Sequence, residues 1–475
     1  MTFFIGRQPE VQALDKLFKK NSASLVVIQG RRRIGKSRLI EEFAKKYTFY
    51  EFSGIPPNEK TTAQSQRNEF ALQLSLQTQL PEMQADDWSK LFILLADKIK
   101  QNKTVVLFDE ITWMGSKDPD FLGKLKHAWD IYFKKNPALI LILCGSISVW
   151  IEENILSSTG FLGRISYRLT LEELPLSDCK LFWSGTGGSI SAYEKLKVLS
   201  VTGGIPRYLE EIKPMLSAEE NIKDLCFTKG GALVNEFNEI FSDLFSKRGS
   251  HYKKIIQTIS AGPLDIKAIC QKLDIGQTGF ISQCLEDLIK SGFVSRDYTW
   301  HLKSGESSRL SHFRLSDNYI RFYLKYIEKN ITKINNGAFA FKALSLLPNW
   351  DIIIALQFEN LVLKNRNFIK ERLNLTNDEI VSDNPFFQRK TQRQAGCQID
   401  YLIHTKFGTG YVCEFKFKRH EIGTEIIHEV KKKLDNLQIP KGFSCRPVLV
   451  HVNGVSEKVM NSGFFSNIID FSELL

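Results

Sequence analysis

Residues Gly30 to Ser37 read G-R-R-R-I-G-K-S, a G-x-x-x-x-G-K-[ST] spacing that suits the binding of a phosphate chain. Gly30 and Gly35 permit the backbone angles that turn successive amides inward around an anion. Lys36 can reach the β- and γ-phosphates, Ser37 can ligate Mg²⁺, and Arg31, Arg32, Arg33, Ile34 and Arg38 complete the stretch that would contact nucleotide. A hydrolase needs more than this cradle. Asp109 and Glu110 supply a carboxylate for the metal's outer shell and a base that polarises the attacking water. Ser146 is placed to sense a γ-phosphate, although serine after a strand also serves as a turn or helix cap. Arg164, in G-F-L-G-R, is the expected charge stabiliser for phosphoryl transfer, with Arg168 close behind; an ordinary surface arginine accounts for either equally well. Arg207, in T-G-G-I-P-R-Y-L, could point back at the nucleotide. Far downstream, Asp400, Glu414 and Lys416 pair two carboxylates with a lysine. That is a divalent-metal site, for Mg²⁺ or Mn²⁺, with a positive group to orient water or steady a phosphorane.

These residues need particular elements to hold them. The apolar run Leu25 to Ile28 leads straight into the glycine-rich loop, and Leu39, Ile40, Phe43 and Ala44 follow at helical spacing, so the loop joins a strand to a helix N-terminus. T-V-V-L-F-D-E (Thr104 to Glu110) and L-I-L-I-L-C (Leu139 to Cys144) read as two more buried strands. Gln398 to Ile403 and Gly410 to Lys418 read as a strand pair around a turn with Gly408 and Gly410. Alternation then places Glu414 and Lys416 on one face, within reach of Asp400, and Cys413, Phe415 and Phe417 on the other. A solvent-exposed edge face would carry the same charges.

Between the two constellations the pattern suggests three short helices and a hairpin. Tyr252, Ile255, Ile256 and Ile259 recur at helical spacing, as do Ile266, Ile269 and Leu273, and then Ile281, Leu285, Leu288 and Ile289. Gly292, Phe293 and Val294 open a strand whose partner includes His312 to Leu315. This is a winged helix-turn-helix arrangement, in which Gln277, Thr278, Ser282 and Gln283 could face bases while Glu286 and Asp287 would repel phosphate. Such modules also act as lids or adaptors.

The chain of 475 residues exceeds one hydrophobic core, so several domains are expected. Its 43% hydrophobic and 25% charged content is that of a folded protein. No apolar stretch is long enough to span a bilayer, no signal peptide is recognisable near Met1, and the eight cysteines form no C-x-x-C pair, which points to reduced thiols in the cytoplasm. The net charge is +11, and +7 of it falls within residues 246–333, where ten lysines and five arginines face eight acids. That concentration suits a polyanion, or a solvated helical face.

Six motifs in order carry a family resemblance: F-I-G-R-Q-P-E-V-Q-A-L (Phe4 to Leu14), G-R-R-R-I-G-K-S, L-F-D-E, C-G-S-I-S, G-F-L-G-R and G-G-I-P-R-Y-L. Together they resemble prokaryotic ATPases of the AAA+/STAND lineage, common in archaea. The resemblance implies an ASCE-type P-loop core with strand order 5-1-4-3-2, a helical lid, and Gly6 and Arg7 near the adenine. It departs at Gly160 to Arg164, where relatives carry a Pro-Leu-Tyr-Gly-Arg-like segment. The D…E-x-K pattern resembles the PD-(D/E)xK nucleases, in which Glu359 would sit at a helical acidic position. The expectation is an α/β multidomain chain: an ATPase core (1–175), a lid (176–245), a winged helix-turn-helix (246–333) and a restriction-endonuclease-like α/β domain (334–475). ATP and Mg²⁺ are the expected cofactors, DNA the expected partner with no membrane role, and ATP-dependent homo-oligomers are possible products of the switch. Hydrolysis is expected to move lid and winged helix relative to the nuclease-like domain, which cuts or holds DNA. A signalling ATPase that uses these parts only for contacts is the alternative, and a DNA-dependent motor a third reading without a further helicase motif.

Overall fold

The computed structural model describes residues 4–100, 102–147, 149–184, 190–244, 249–340, 342–392 and 394–475. Ser148, which ends C-G-S-I-S, and residues 246–248, which open the expected winged-helix segment, lie outside the described residues. The chain divides into two compact units, Met1–Leu174 and Pro175–Leu475.

Near-continuous apolar runs make strands that can be covered on both faces, and the first unit is built from five of them. Strands β1 (Ser24–Gly30), β2 (Thr48–Ser53), β3 (Thr104–Asp109), β4 (Leu139–Ser146) and β5 (Ile165–Leu171) form a parallel sheet in the order β5-β1-β4-β3-β2. This is the order implied by the family resemblance. Alternation sends Val26 and Ile28 into one core with Leu14, Ile40 and Phe43, and Leu25 and Val27 into the other with Phe70, Trp88 and Phe92. Because the strands are parallel, Gly30, Asp109 and Ser146 emerge along one edge of the sheet, where α/β proteins bind ligands.

Strand β2 ends the sheet, and side chains answer its outer backbone groups. Gln77 accepts from Glu51 N at 2.9 Å and donates to Glu51 O at 2.6 Å. Gln73 does the same for Ser53 at 2.8 and 3.1 Å, and Gln66 for Ile55 at 2.9 and 2.8 Å. These glutamines share one face of the helix Ala63–Thr78, which closes an edge otherwise open to foreign strands and fixes β2 beside β3. Gln66 is buried. Gln66→Leu should therefore destabilise the unit by about 1–3 kcal/mol, because both Ile55 groups lose their partner; thermal melting reads it.

In the second unit, helices Gly249–Ile259, Ile266–Leu273 and Gly279–Lys290 precede an antiparallel hairpin of β6 (Val294–Trp300) and β7 (Ser307–Leu315). The helix Trp350–Lys364 then leads to a mixed sheet, ordered β12-β11-β10-β9-β8. Its strands β8 (Ile380–Gln388), β9 (Cys397–Thr405) and β10 (Thr409–Phe417) form an antiparallel meander. The helix Glu425–Asn436 crosses to β11 (Ser444–Val452), parallel to β10, and β12 (Asn467–Asp470) follows parallel to β11.

The hairpin is part of this sheet's core. Trp300 and Leu302 pack with Phe386, Ile399, Leu402 and Val412, and the His312 ring stacks on Phe387 with centroids 3.6 Å apart. Buried Arg314 binds Asp297 through two nitrogens and donates to Asn360, while buried Arg321 donates to Leu356 O, Leu315 O and Gln357. Arg314 thus joins both hairpin strands to the helix Trp350–Lys364, and Arg321 joins the segment after β7 to the same helix. The hairpin and the C-terminal sheet thus share one hydrophobic core within the second unit.

Burial withdraws more acids than bases from the basic segment, so its positive excess stays at the surface. Arg314 and Arg321 are interior, as are Asp287, Asp297 and Asp317. Asp287 accepts from Tyr252 Oη at 2.7 Å and from Gln283 at 2.9 Å, and Glu286 pairs with Arg296 at 3.2 Å, so Asp287 does not stand toward an incoming phosphate. Among the described residues no helix is long and apolar enough to cross a membrane.

Candidate functional site

Strand β1 ends at Gly30 and the helix Lys36–Ala44 starts after five intervening residues, so the loop between them is short and tightly curled. Arg33 and Gly35 take positive φ, +69° and +88°, which turns the backbone back on itself. A side chain at Gly30 would bring its Cβ within 2.8 Å of Leu171 O and 3.0 Å of Ile34 Cγ2. Gly30→Ala should therefore push the loop out of shape and weaken ATP binding roughly ten- to a hundredfold, the equivalent of about 1–3 kcal/mol of overpacking; nucleotide titration checks it. Lys36 is buried, and its ammonium donates to Gly30 O at 3.0 Å and Arg31 O at 3.2 Å, inside the curl of the loop. Ser37 Oγ donates to Asp109 Oδ2 at 2.7 Å. The hydroxyl and carboxylate expected to share a magnesium ion thus converge.

Glu110 follows Asp109 in the left-handed region, at φ +48°, and its amide donates to Asp109 Oδ1 at 3.0 Å. A non-glycine residue held there costs about 1–3 kcal/mol, and such strain gathers at functional positions. The turn directs its carboxyl toward the loop: burial pushes the group above the ordinary carboxylate range and Asp109 adds to that, whereas Lys36, Arg32 and a hydrogen bond from the Ser146 backbone oppose it. Ser146 is the register partner of Gly30 across β1 and β4, so it too lies at the loop. The Cys144 thiol, fully buried two residues earlier on β4, is held protonated by burial and by the neighbouring Asp109.

Comparison with known proteins decides what this constellation is. Residues 4–212 match the ATPase domains found predominantly in Archaea. They are an ATPase domain of that archaeal family. An uncharacterized protein of Methanocaldococcus jannaschii is 26% identical over 344 residues, covering 71% of each chain. A second protein of that organism, described as an uncharacterized ATP-binding protein, is 37% identical over 43 residues, 9% of this chain and 73% of its own. Among solved structures, a Walker-type ATPase of Pyrococcus abyssi superposes with a TM-score of 0.50 at 16% identity, covering 68% of this chain and 96% of that one, a likeness of fold.

Not every expected residue of the ATPase domain reaches its loop. Arg164 directly precedes β5, whose first residue, Ile165, pairs with Leu25 at the amino end of β1. Five strand residues separate that end from Gly30, about 17 Å. Arg164 is bound there by Asp130, with both contacts at 2.9 Å, and this pairing holds the Asp130 carboxyl down at about 2. That position is at the end of β1 away from the phosphate loop of the same chain. Arg168, exposed on β5, donates to Leu156 O at 3.0 Å. Arg38 is half-buried and lies 3.5 Å from Glu41, and Arg31 is buried, 3.9 Å from Glu173. Arg207 belongs to the second unit, where Glu210 and Glu211 lie at 3.4 and 2.8 Å. The guanidinium of Arg7, expected near the adenine, donates to Ile34 O of the loop at 3.4 Å and to Glu172 O.

The second constellation also assembles, around a residue that pattern reading missed. Tyr401 pairs with Cys413 across β9 and β10, so the next register position sets Asp400 against Glu414. Lys433, from the helix Glu425–Asn436, donates to Glu414 Oε2 at 2.5 Å and lies 3.4 Å from Asp400 Oδ1. Lys416 lies 3.1 Å from Glu414 Oε1 and 2.7 Å from Glu429. Burial and then Asp400 push the Glu414 carboxyl up, opposed by Lys433 and Lys416. Glu359, on the helix Trp350–Lys364, is pushed up to about 7 by burial and then by Asp400, against Arg321, Arg314 and Lys433. Lys433 had a weak sequence signal. It follows the buried Val430 by three residues, on the inward face of its helix, and it is four residues past Glu429.

The two expected metal sites differ in fit. Ser37 and Asp109 suit Mg²⁺, which takes one or two protein oxygens and completes its shell from phosphates and water. At the second site an ammonium already lies against both carboxylates, and among the described residues no three His, Cys, Asp or Glu side chains are grouped to hold an ion. Asp400 and Glu414 as arranged do not fit the expected Mg²⁺ or Mn²⁺.

Proposed function

We propose that the chain is an ATP-hydrolysing switch whose second unit faces DNA. The observation that carries the hydrolytic part is the meeting of Ser37 Oγ with Asp109 Oδ2 at 2.7 Å, with the Glu110 carboxyl turned toward the same loop. In this reading, backbone amides of Gly30 to Gly35 cradle the phosphates, Lys36 neutralises charge that builds on the γ-phosphate, and Ser146 senses it. Glu110 orients the attacking water and takes its proton. Mg²⁺, held by Ser37 and Asp109, supplies Lewis-acid polarisation of the phosphate oxygens. Arg31, Arg32, Arg33 and Arg38 line the approach, and Arg207 is the second unit's candidate for reading nucleotide state. Steady-state phosphate release tests this: Lys36→Ala should lose turnover by two orders of magnitude or more, about 2.7 kcal/mol of transition-state stabilisation, and wild-type rates in that variant would overturn it.

For the second unit, Gln277, Thr278, Ser282 and Gln283 are all exposed on and before the third helix, which supports a winged helix-turn-helix that reads DNA. The mixed sheet with its acidic pair on adjacent strands supports a nuclease-like domain behind it. DNA affinity of the full chain should then fall steeply with salt, with a log–log slope set by the number of phosphates neutralised. A flat salt dependence would exclude phosphate contacts.

A second reading is favoured by one observation. The hairpin packs in the sheet's core through Trp300 and Leu302 rather than standing free as a wing, which suits a STAND-type regulatory ATPase that uses these parts for contacts and assembly. In an assembly, Arg164 would complete the site of a neighbouring copy. Mixing Lys36→Ala with Arg164→Ala chains should then restore hydrolysis that neither has alone; absence of complementation removes this role.

A further inference from the structure

The acidic pair of the C-terminal sheet has its oxygens accounted for by the chain itself. Asp400 Oδ2 accepts from Phe415 N at 2.9 Å, and Oδ1 lies 3.4 Å from Lys433 Nζ. Glu414 Oε2 accepts from Lys433 at 2.5 Å, and Oε1 lies 3.1 Å from Lys416 Nζ. Four carboxylate oxygens thus meet two ammonium groups and one backbone amide. The Glu414 side chain is only 5% exposed, so it draws little compensation from water.

Lys433 has no easy alternative position. Its helix is anchored by buried Ile426 and Val430, with Leu434 and Leu437 packed toward the sheet, and the Lys433 carbonyl accepts from Cys397 Sγ at 3.3 Å. The backbone at Lys433 is therefore fixed over β9. Its side chain must run inward, where it meets the Asp400 and Glu414 carboxylates directly and Glu359 at longer range.

We infer that the Lys433 ammonium is the resident cation of the Asp400–Glu414 pair, and that the C-terminal domain takes no divalent ion at this position. Lys433 between the two carboxylates, with Lys416 on the outer Glu414 oxygen, sets two positive charges against two negative ones, the charge a divalent ion would otherwise supply. A divalent ion could enter only by expelling a lysine whose anchor does not move. The inference rests on the nuclease-like reading of this domain and fixes which form it takes: one that binds without metal-dependent phosphodiester cleavage. Charge on this face comes from Lys416 and Lys433, and it is already spent on acids of the same domain.

Manganese titration of the full chain, read by electron paramagnetic resonance without nucleotide, tests the inference directly. Wild type and Asp400→Asn should bind the same number of ions, whereas Lys433→Gln should gain one ion per chain over Lys433→Gln with Asp400→Asn. A manganese ion present in wild type and lost in Asp400→Asn would overturn it, as would the absence of any gain in Lys433→Gln. Should the glutamine variant not fold, Lys433→Arg keeps the charge: it should bind as wild type does, and an extra ion there would also overturn the inference. Failure of the wider reading shows separately: wild type that binds no DNA at low salt would remove the DNA-facing role and leave the manganese result standing. Metal-dependent cleavage lost in Asp400→Asn but kept in Lys36→Ala would contradict the inference and establish a nuclease.

Discussion

Replacement of Glu110 by glutamine is expected to lower ATP turnover by roughly 10²–10⁴-fold while leaving ATP binding nearly unchanged. The amide keeps the volume of the carboxyl but cannot take a proton from water. Binding should survive because Lys36, Ser37, Asp109 and the loop amides are untouched. The pH dependence follows from the sign of the Glu110 shift. Burial raises its pKa above the usual carboxylate range, and only the ionised form acts as a base, so turnover should fall as pH drops through that raised value. The acid limb should thus appear at higher pH than an exposed glutamate would give, and it should vanish from the residual rate of Glu110→Gln. Phosphate release across pH, paired with nucleotide titration, measures both. Equal losses of binding and turnover would instead make Glu110 a structural residue.

Lys433→Met should destabilise the second unit by about 3–5 kcal/mol, the cost of leaving a buried charge without its partner. Glu414 is buried and Asp400 nearly so, and both lose the same ammonium. The deficit depends on pH with a definite sign. Burial already raises the folded pKa of Glu414, and loss of Lys433 raises it further. Such a group costs stability when it must ionise. The deficit should be small below about pH 4, where carboxyls are protonated in folded and unfolded chains, and should grow as pH rises through the carboxylate range. Lys416→Met should cost less, since Lys416 divides its charge between Glu414 and the half-exposed Glu429. Denaturant unfolding of the three proteins at several pH values gives the comparison. A loss that does not vary with pH would assign Lys433 a packing role.

The nucleotide site was the most legible part of the sequence because its chemistry is local. Gly30 to Ser37 carry the loop geometry within eight residues, and the strands ending at Asp109 and Ser146 announce themselves as apolar runs that stop at polar residues. In a parallel sheet such strand ends must share an edge, so order along the chain sufficed to gather them. The place of Arg164 was less legible for the complementary reason. A glycine-rich context before a strand says that the arginine sits at a turn, but not at which end of the sheet, and β5 enters at the amino end. Periodicity found the helices and hairpin before residue 315, yet could not tell that Trp300 and Leu302 face another domain's core rather than their own. Asp400 and Glu414 were found from strand register. Lys433, nineteen positions beyond Glu414 on a helix, was invisible to a strand pattern, and it changes what the site can do. Charge counting could not tell which charges are interior: Arg314 and Arg321 lie inside the protein, and so do Asp287, Asp297 and Asp317.

The central claim is that nucleotide state in the first unit governs how the second meets DNA. The most direct measurement is duplex DNA affinity of full-length Glu110→Gln, which holds ATP unhydrolysed, with ATP·Mg²⁺ and then with ADP·Mg²⁺ at one fixed salt concentration. The account predicts at least a tenfold difference between the two states, about 1.4 kcal/mol of coupling, and no difference when Lys36→Ala is added. Equal affinity in both nucleotide states, with both nucleotides shown to be bound, would contradict it.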